Sequence, residues 1–212
     1  MTRDCELTTK ERIVDEALTL FAVKGFNGTS VKNIAEAVGI KDSSLYKHFK
    51  SKKEIMDTII RQMRSRMEDM SNAMGLPDEQ NYTAAAKAYG DLDLKGLITL
   101  SKKVLQFYLN DSYVSRFWRL ATIEQYQNEE IYLVYRKIFM EESITYQTIL
   151  FREMIRANIF VDADPEVMAM NFYTPIFFLL SKYMQQPEKE EEALKILERQ
   201  ITEFSRIYQR NV

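Results

Sequence analysis

Asp42-Ser43-Ser44-Leu45-Tyr46-Lys47-His48 gathers a carboxylate, two hydroxyls, a phenol, an ammonium and an imidazole around one leucine. Such side chains donate and accept hydrogen bonds without a bulky apolar tip, which is the chemistry needed to read base edges in a DNA groove. His48, Lys50, Lys52 and Lys53 follow where phosphate oxygens would pass. Covalent chemistry is poorly supplied. One His and one Cys leave too little for a metal site or a Cys-His pair, and no Gly-rich phosphate loop occurs. In Glu129-Glu130 and Glu141-Glu142 the adjacent carboxylates point different ways on a helix. No catalytic residue, metal or cofactor is therefore expected, and the chain reads as a binding protein rather than an enzyme.

Helices must hold those side chains in place. Six Gly and four Pro in 212 residues, against abundant Leu, Ile, Met, Lys and Glu, favour an all-α fold. Lys10 to Lys24 sets Ile13, Val14, Ala17, Leu18, Leu20 and Phe21 on one helical stripe, and Gly25 supplies a left-handed stop. Thr29 or Ser30 caps the next helix, which buries Val31, Ile34, Ala35 and Val38 and breaks at Gly39. Asp42 or Ser43 caps a third short helix that turns Leu45 and Phe49 inward. Two short helices joined by a glycine turn, the second exposing polar groups, describe a helix-turn-helix. A longer helix begins near Lys52, its first amides aimed at the DNA backbone, and ends at Gly75-Leu76-Pro77, followed by a loop over Asp78 to Asn81. Further helices are expected over about residues 84–109, 113–127, 130–157, 165–184 and 188–209.

The pattern Phe21, Gly25-Phe26, Thr29, Ile34-Ala35, Gly39-Ile40, Leu45-Tyr46-Lys47-His48-Phe49, Lys52 and Ile55 resembles the TetR family of bacterial transcriptional regulators over roughly Lys10 to Ile60. The resemblance implies an N-terminal three-helix DNA-binding module over residues 1–52 and a larger helical ligand-binding and dimerisation domain over residues 53–212. It implies Ser43, Ser44 and Lys47 as base readers and Tyr46, His48 and Lys52 as phosphate contacts. Thr29, Lys32, Lys41 and Asp42 complete the expected DNA-facing set. Where the family often has a small capping residue this chain has Lys41, so Asp42 is expected to cap.

Charge supports a polyanion partner for the head. Residues 1–66 hold 13 Lys and Arg against 9 Asp and Glu, while the remainder holds 16 against 22. In the acidic remainder, Leu194, Leu197, Ile201, Phe204 and Tyr208 recur at spacings of three and four, a seam expected to pair with a second copy. A twofold dimer doubles the few base pairs that one recognition helix reads. The same seam could pack on the chain's own body. Trp118, Thr122 and Tyr126 share one helical face, and Glu142 and Tyr146 share another. With Tyr108 and Phe172 these residues form the small-molecule pocket that the resemblance implies, Glu142 favouring a cationic or hydroxylated effector.

The expected partners are thus a palindromic double-stranded DNA operator, an unidentified small-molecule effector and a second copy of the chain. No apolar run has the length of a bilayer span and the first residues lack a secretory signal's apolar core, so a cytoplasmic protein is expected. The lone Cys5 agrees with a reducing compartment. A ligand-independent regulator, or a helical interaction protein with a weak DNA head, would share most of these features.

Overall fold

The computed structural model describes residues 7–74 and 82–210. Thr8 starts the fold as a capping box: its hydroxyl accepts from the Glu11 amide, and the Glu11 carboxylate accepts from the Thr8 amide at 2.7 Å. This opens α1 (Thr9–Lys24). Ser30, not Thr29, caps α2 (Val31–Val38) through a reciprocal pair with Asn33. Gly39 then takes the left-handed conformation (φ 79°, ψ 33°), which an L side chain adopts only with strain. α3 (Asp42–Leu45) has Lys41 at its N-cap with no side-chain cap, so Asp42 sits inside the first turn instead of capping it. Serine and glutamate mark the start of α4 (Lys52–Ala73): Ser51 Oγ accepts from the Glu54 amide and Glu54 accepts from the Lys50 amide.

The remaining helices are α5 (Tyr82–Gly90), α6 (Leu94–Asn110), α7 (Ser112–Glu124), α8 (Glu129–Arg136), α9 (Glu142–Arg156), α10 (Pro165–Tyr183) and α11 (Glu190–Tyr208). The single helix expected over residues 84–109 is two, because Asp93 caps a fresh start by accepting from the Gly96 amide at 2.7 Å. The helix expected over 130–157 is interrupted by a π turn, Lys137–Glu141, in which the Glu142 amide reaches back to the Lys137 carbonyl. The expected loop over Asp78 to Asn81 lies outside the described residues. Among the described residues the sole β pairing is one bridge between Phe160 and Gln209.

Contacts divide the chain into two units. The described residues of Met1–Met67 and Ser112–Tyr135 form the first. Its core is built from Ile13, Val14, Leu18 and Phe21 of α1, Ile34 and Val38 of α2, Leu45, Phe49, and Ile55 and Ile59 of α4. α7 lies along α1, where Arg116 bonds Asp15 Oδ1 at 2.6 Å and Thr19 Oγ1 at 2.7 Å. The Tyr113 hydroxyl reaches the Ile59 carbonyl. These contacts, rather than a cut after residue 52, set the extent of this unit.

The second unit takes the described residues of Glu68–Asp111 and Arg136–Val212. An aromatic cluster fills it: Phe151 stands 5.4 Å from Phe160, 5.6 Å from Phe172 and 5.6 Å from Phe204. Pro175 leaves no amide for the Asn171 carbonyl, and the Gln200 side-chain amide approaches that oxygen at 3.4 Å instead. The seam on α11 also turns inward. Leu197, Ile201 and Phe204 are buried in the chain's own core, Leu194 is half-buried, and the half-buried Tyr208 accepts a hydrogen bond from Asn171. Three of the five residues expected to meet a second copy therefore lie in this unit's interior, and Leu194 and Tyr208 stay partly open. Among the described residues of this unit, the large apolar side chains left exposed are Leu94 on α6, Val167, Met170 and Phe178 on α10, and Ile207 on α11.

Candidate nucleic-acid interface

Leu45 and Phe49 anchor the segment from Asp42 to Lys50 by burying their side chains completely, and the residues between them must face away. Backbone bonds from Lys47 to Ser44, His48 to Leu45 and Phe49 to Leu45 carry helical turns past the end of α3. Asp42, Ser43, Tyr46, Lys47 and His48 are accordingly exposed, and Ser44 is half-buried. Lys41, Lys47 and Lys50 are exposed and make no ion pair among the described residues, so their ammonium groups are available to an anion. Lys32 is exposed too, 3.9 Å from Glu36. One face thus combines short hydrogen-bonding groups with flanking cations, and a helix carrying them fits a major groove.

Two residues of the expected set do other work. Thr29 is 1% exposed and its hydroxyl donates to the Gly25 carbonyl at 2.9 Å, so it closes the turn before α2 and presents nothing to DNA. Lys52 directs its ammonium inward, donating to the Phe26 carbonyl at 2.6 Å and the Thr29 carbonyl at 2.8 Å, 4.2 Å from the Phe26 ring centroid. Burial lowers its pKa below the usual lysine range, an effect that Glu124 partly offsets. It is a tie within the module rather than an outward phosphate contact. Lys53, next along, pairs with Asp57 and Glu130.

Two further residues hold this face and carry no sequence signal. Arg12 on α1 donates to the Val38 carbonyl at 2.5 Å and so satisfies the end of α2. Glu124, at the end of α7, accepts from the Phe26 amide at 2.7 Å. Both partners are distant in the chain, where periodicity says nothing about pairing.

The residues expected to line an effector pocket are divided between the two units. Trp118 is buried edge-on against Tyr135 at 5.4 Å, Thr122 bonds its own helix at the Trp118 carbonyl, and Tyr126 is 89% exposed, all in the first unit. In the second unit, Tyr108 packs on Phe139, Tyr146 on Tyr82, and Phe172 belongs to the Phe151 cluster. Glu142 lies 4.0 Å from Lys137. A different cleft, of about 430 Å³, opens between the π turn with α9 and α10. Met140, Ile144, Met170 and Phe177 give it apolar walls, and Glu141, Thr145, Tyr173 and Thr174 give polar groups. The Tyr173 hydroxyl donates to the Phe139 carbonyl at 2.6 Å, and burial pushes its pKa up to about 12. Tyr108 is raised in the same direction for the same reason. Both hydroxyls are neutral at ordinary pH.

Among the described residues no group of three His, Cys, Asp or Glu is placed to hold a metal, and no helix is long and apolar enough to cross a membrane.

Residues 13–59 match the family described as bacterial regulatory proteins, tetR family. The chain is 48% identical over 52 residues to the biofilm operon icaADBC HTH-type negative transcriptional regulator IcaR of Staphylococcus aureus strain Newman. That match takes in 24% of this chain and 28% of the relative, so it spans little more than a quarter of the relative's length. Over nearly the whole chain the fold is similar to two solved structures. One is described as a TetR-family transcriptional regulator from Mesorhizobium loti, with TM-score 0.62, 17% identity, and 99% of this chain and 100% of that one covered. The other is SmeT, the repressor of the Stenotrophomonas maltophilia multidrug efflux pump SmeDEF, with TM-score 0.62, 17% identity, and 97% and 92% covered. At such identities these two likenesses concern the fold.

Proposed function

We propose that the chain, whose residues 13–59 match the tetR family of bacterial regulatory proteins, is a ligand-released repressor of that family and not an enzyme. It binds a palindromic operator in the cytoplasm as a homodimer. The observation that carries this reading is the exposed Ser43, Tyr46, Lys47 and His48 face held over buried Leu45 and Phe49, in the basic part of the sequence. Repression is supported by the names of the relatives, a negative regulator and a repressor. Twofold assembly is supported by Val167, Met170 and Phe178, an apolar stripe that α10 leaves open to solvent.

The effector enters the cleft beside the π turn. Its apolar walls and the Glu141 carboxylate suit a molecule with an apolar body and a cationic or hydroxylated end. Selecting bound sites from a random DNA pool tests the DNA reading: an enriched inverted repeat is expected, with affinity falling steeply as salt rises. Enrichment of no sequence, or of a site without twofold symmetry, would reject it. Ile144→Trp, which fills the cleft, is expected to leave operator binding intact and abolish release by the effector.

A further inference from the structure

The turn from Gly25 to Thr29, which delivers the chain into α2, is gripped by two charged side chains that the DNA reading does not use. Glu124 is 2% exposed, an unusual place for a carboxylate. One oxygen, Oε1, accepts from the Phe26 amide at 2.7 Å, and the other, Oε2, is buried without a hydrogen-bond partner among the described residues. Lys52 donates to the Phe26 and Thr29 carbonyls of the same turn and covers the Phe26 ring. Gly25 is fitted to this arrangement. Its φ is 74°, and a Cβ there would lie 2.6 Å from Glu124 Oε1. Thr29 closes the same turn through its hydroxyl bond to the Gly25 carbonyl.

A buried carboxylate with a single hydrogen bond is costly, and it persists where a nearby opposite charge compensates it. Lys52 supplies that charge, since the two groups attract across the turn. Both side chains are engaged with the backbone of the turn itself. We infer that Glu124 and Lys52 are positioning residues, a carboxylate and ammonium clamp that holds the Gly25 to Thr29 turn so that α2 and the recognition segment are presented to DNA in one fixed pose. The inference rests on the DNA reading for its functional consequence. It makes α7 part of the DNA-binding unit, although the sequence places that helix more than sixty residues downstream of the recognition segment.

Full-length Glu124→Gln, Glu124→Ala, Lys52→Ala and the double variant, each first shown folded by circular dichroism and urea unfolding, test it against the selected operator. Glu124→Ala and Lys52→Ala are each expected to weaken operator binding by roughly tenfold, equally for operators with single base changes. The double variant should be little worse than either single one, because both remove the same clamp. Glu124→Gln keeps an acceptor for the Phe26 amide but not the charge, and is expected to fall between wild type and Glu124→Ala. The slope of log affinity against log salt is expected to be unchanged in all four. A slope shallower by about one in Lys52→Ala would mark a lost phosphate contact and overturn the inference, as would affinities within about twofold of wild type in folded variants. Amide hydrogen exchange at Phe26 gives a readout independent of DNA, slow in wild type and fast in Glu124→Ala. Slow exchange in both refutes the clamp. A wild-type protein that selects no operator while Phe26 exchange responds as stated would sink the DNA reading and leave the clamp standing.

Discussion

Lys47 and Lys52 are both lysines of the same short stretch, and their surroundings give them opposite tasks. Lys47 stands exposed beside Tyr46, with no ion pair among the described residues, whereas the Lys52 ammonium faces two carbonyls. Lys47→Ala is expected to relax base preference at one position of each half-site at a cost of about 1–3 kcal/mol, measured by competition between operators changed one base pair at a time. Equal weakening on every sequence would show that Lys47 contacts only phosphate. The inward placing of Leu45 and Phe49 was legible because a buried face repeats at helical spacing. The inward placing of Thr29 and Lys52 was not. A hydroxyl or an ammonium serves a base, a phosphate or a carbonyl equally well, and the carbonyls that claim Lys52 lie 23 and 26 residues away in sequence.

Caps and turns fix the elements. Gly39 takes a left-handed conformation with open space where a Cβ would stand, so conformation alone restricts it. Gly39→Ala is expected to cost about 1–2 kcal/mol, read as a lowered urea midpoint with an unchanged denaturant slope. The stop at Gly39 and the proline-led start of α10 were written in the sequence, as was the cap at Ser30 alongside Thr29. The π turn was not, since it depends on where a later element offers a partner; the break at Asp91-Leu92 rests on the local Asp93 cap, a signal that the sequence did carry. Tyr173 of α10 is that partner for the π turn, donating to the Phe139 carbonyl. Its hydroxyl ionises near 10.0 when unfolded and near 12 when folded, so its share of stability is complete below pH 10 and is lost as pH rises towards 12. Tyr173→Phe is expected to lower stability at neutral pH by about 0.5–1.5 kcal/mol and to flatten part of the decline above pH 10. Urea midpoints taken across that range measure both effects.

For the whole molecule the question is which apolar surface would meet a second copy in the proposed dimer. An amphipathic helix states that one face is covered but not by what, and for that reason the seam on α11 read as an interface while it serves the interior: Leu197, Ile201 and Phe204 are spent on the chain's own core. The stripe on α10 runs the other way, because its sequence is apolar nearly all round and looks buried, yet Phe178 is 59% exposed with Val167 and Met170, also exposed, about three and two turns before it. A large aromatic in water on a helix of otherwise buried neighbours costs solubility unless something covers it. Phe178→Asp changes only an exposed position, so the monomer is expected to keep its fold, with an unfolding midpoint close to wild type. The dimer should be lost in sedimentation at concentrations where the wild type is dimeric. Binding to the full inverted repeat should weaken by more than about tenfold while binding to an isolated half-site is unchanged, because each recognition segment is intact and only their linkage is gone. A Phe178→Asp protein that remains dimeric would move the interface to another face, and one that is monomeric yet binds the repeat as tightly as wild type would remove the need for twofold assembly.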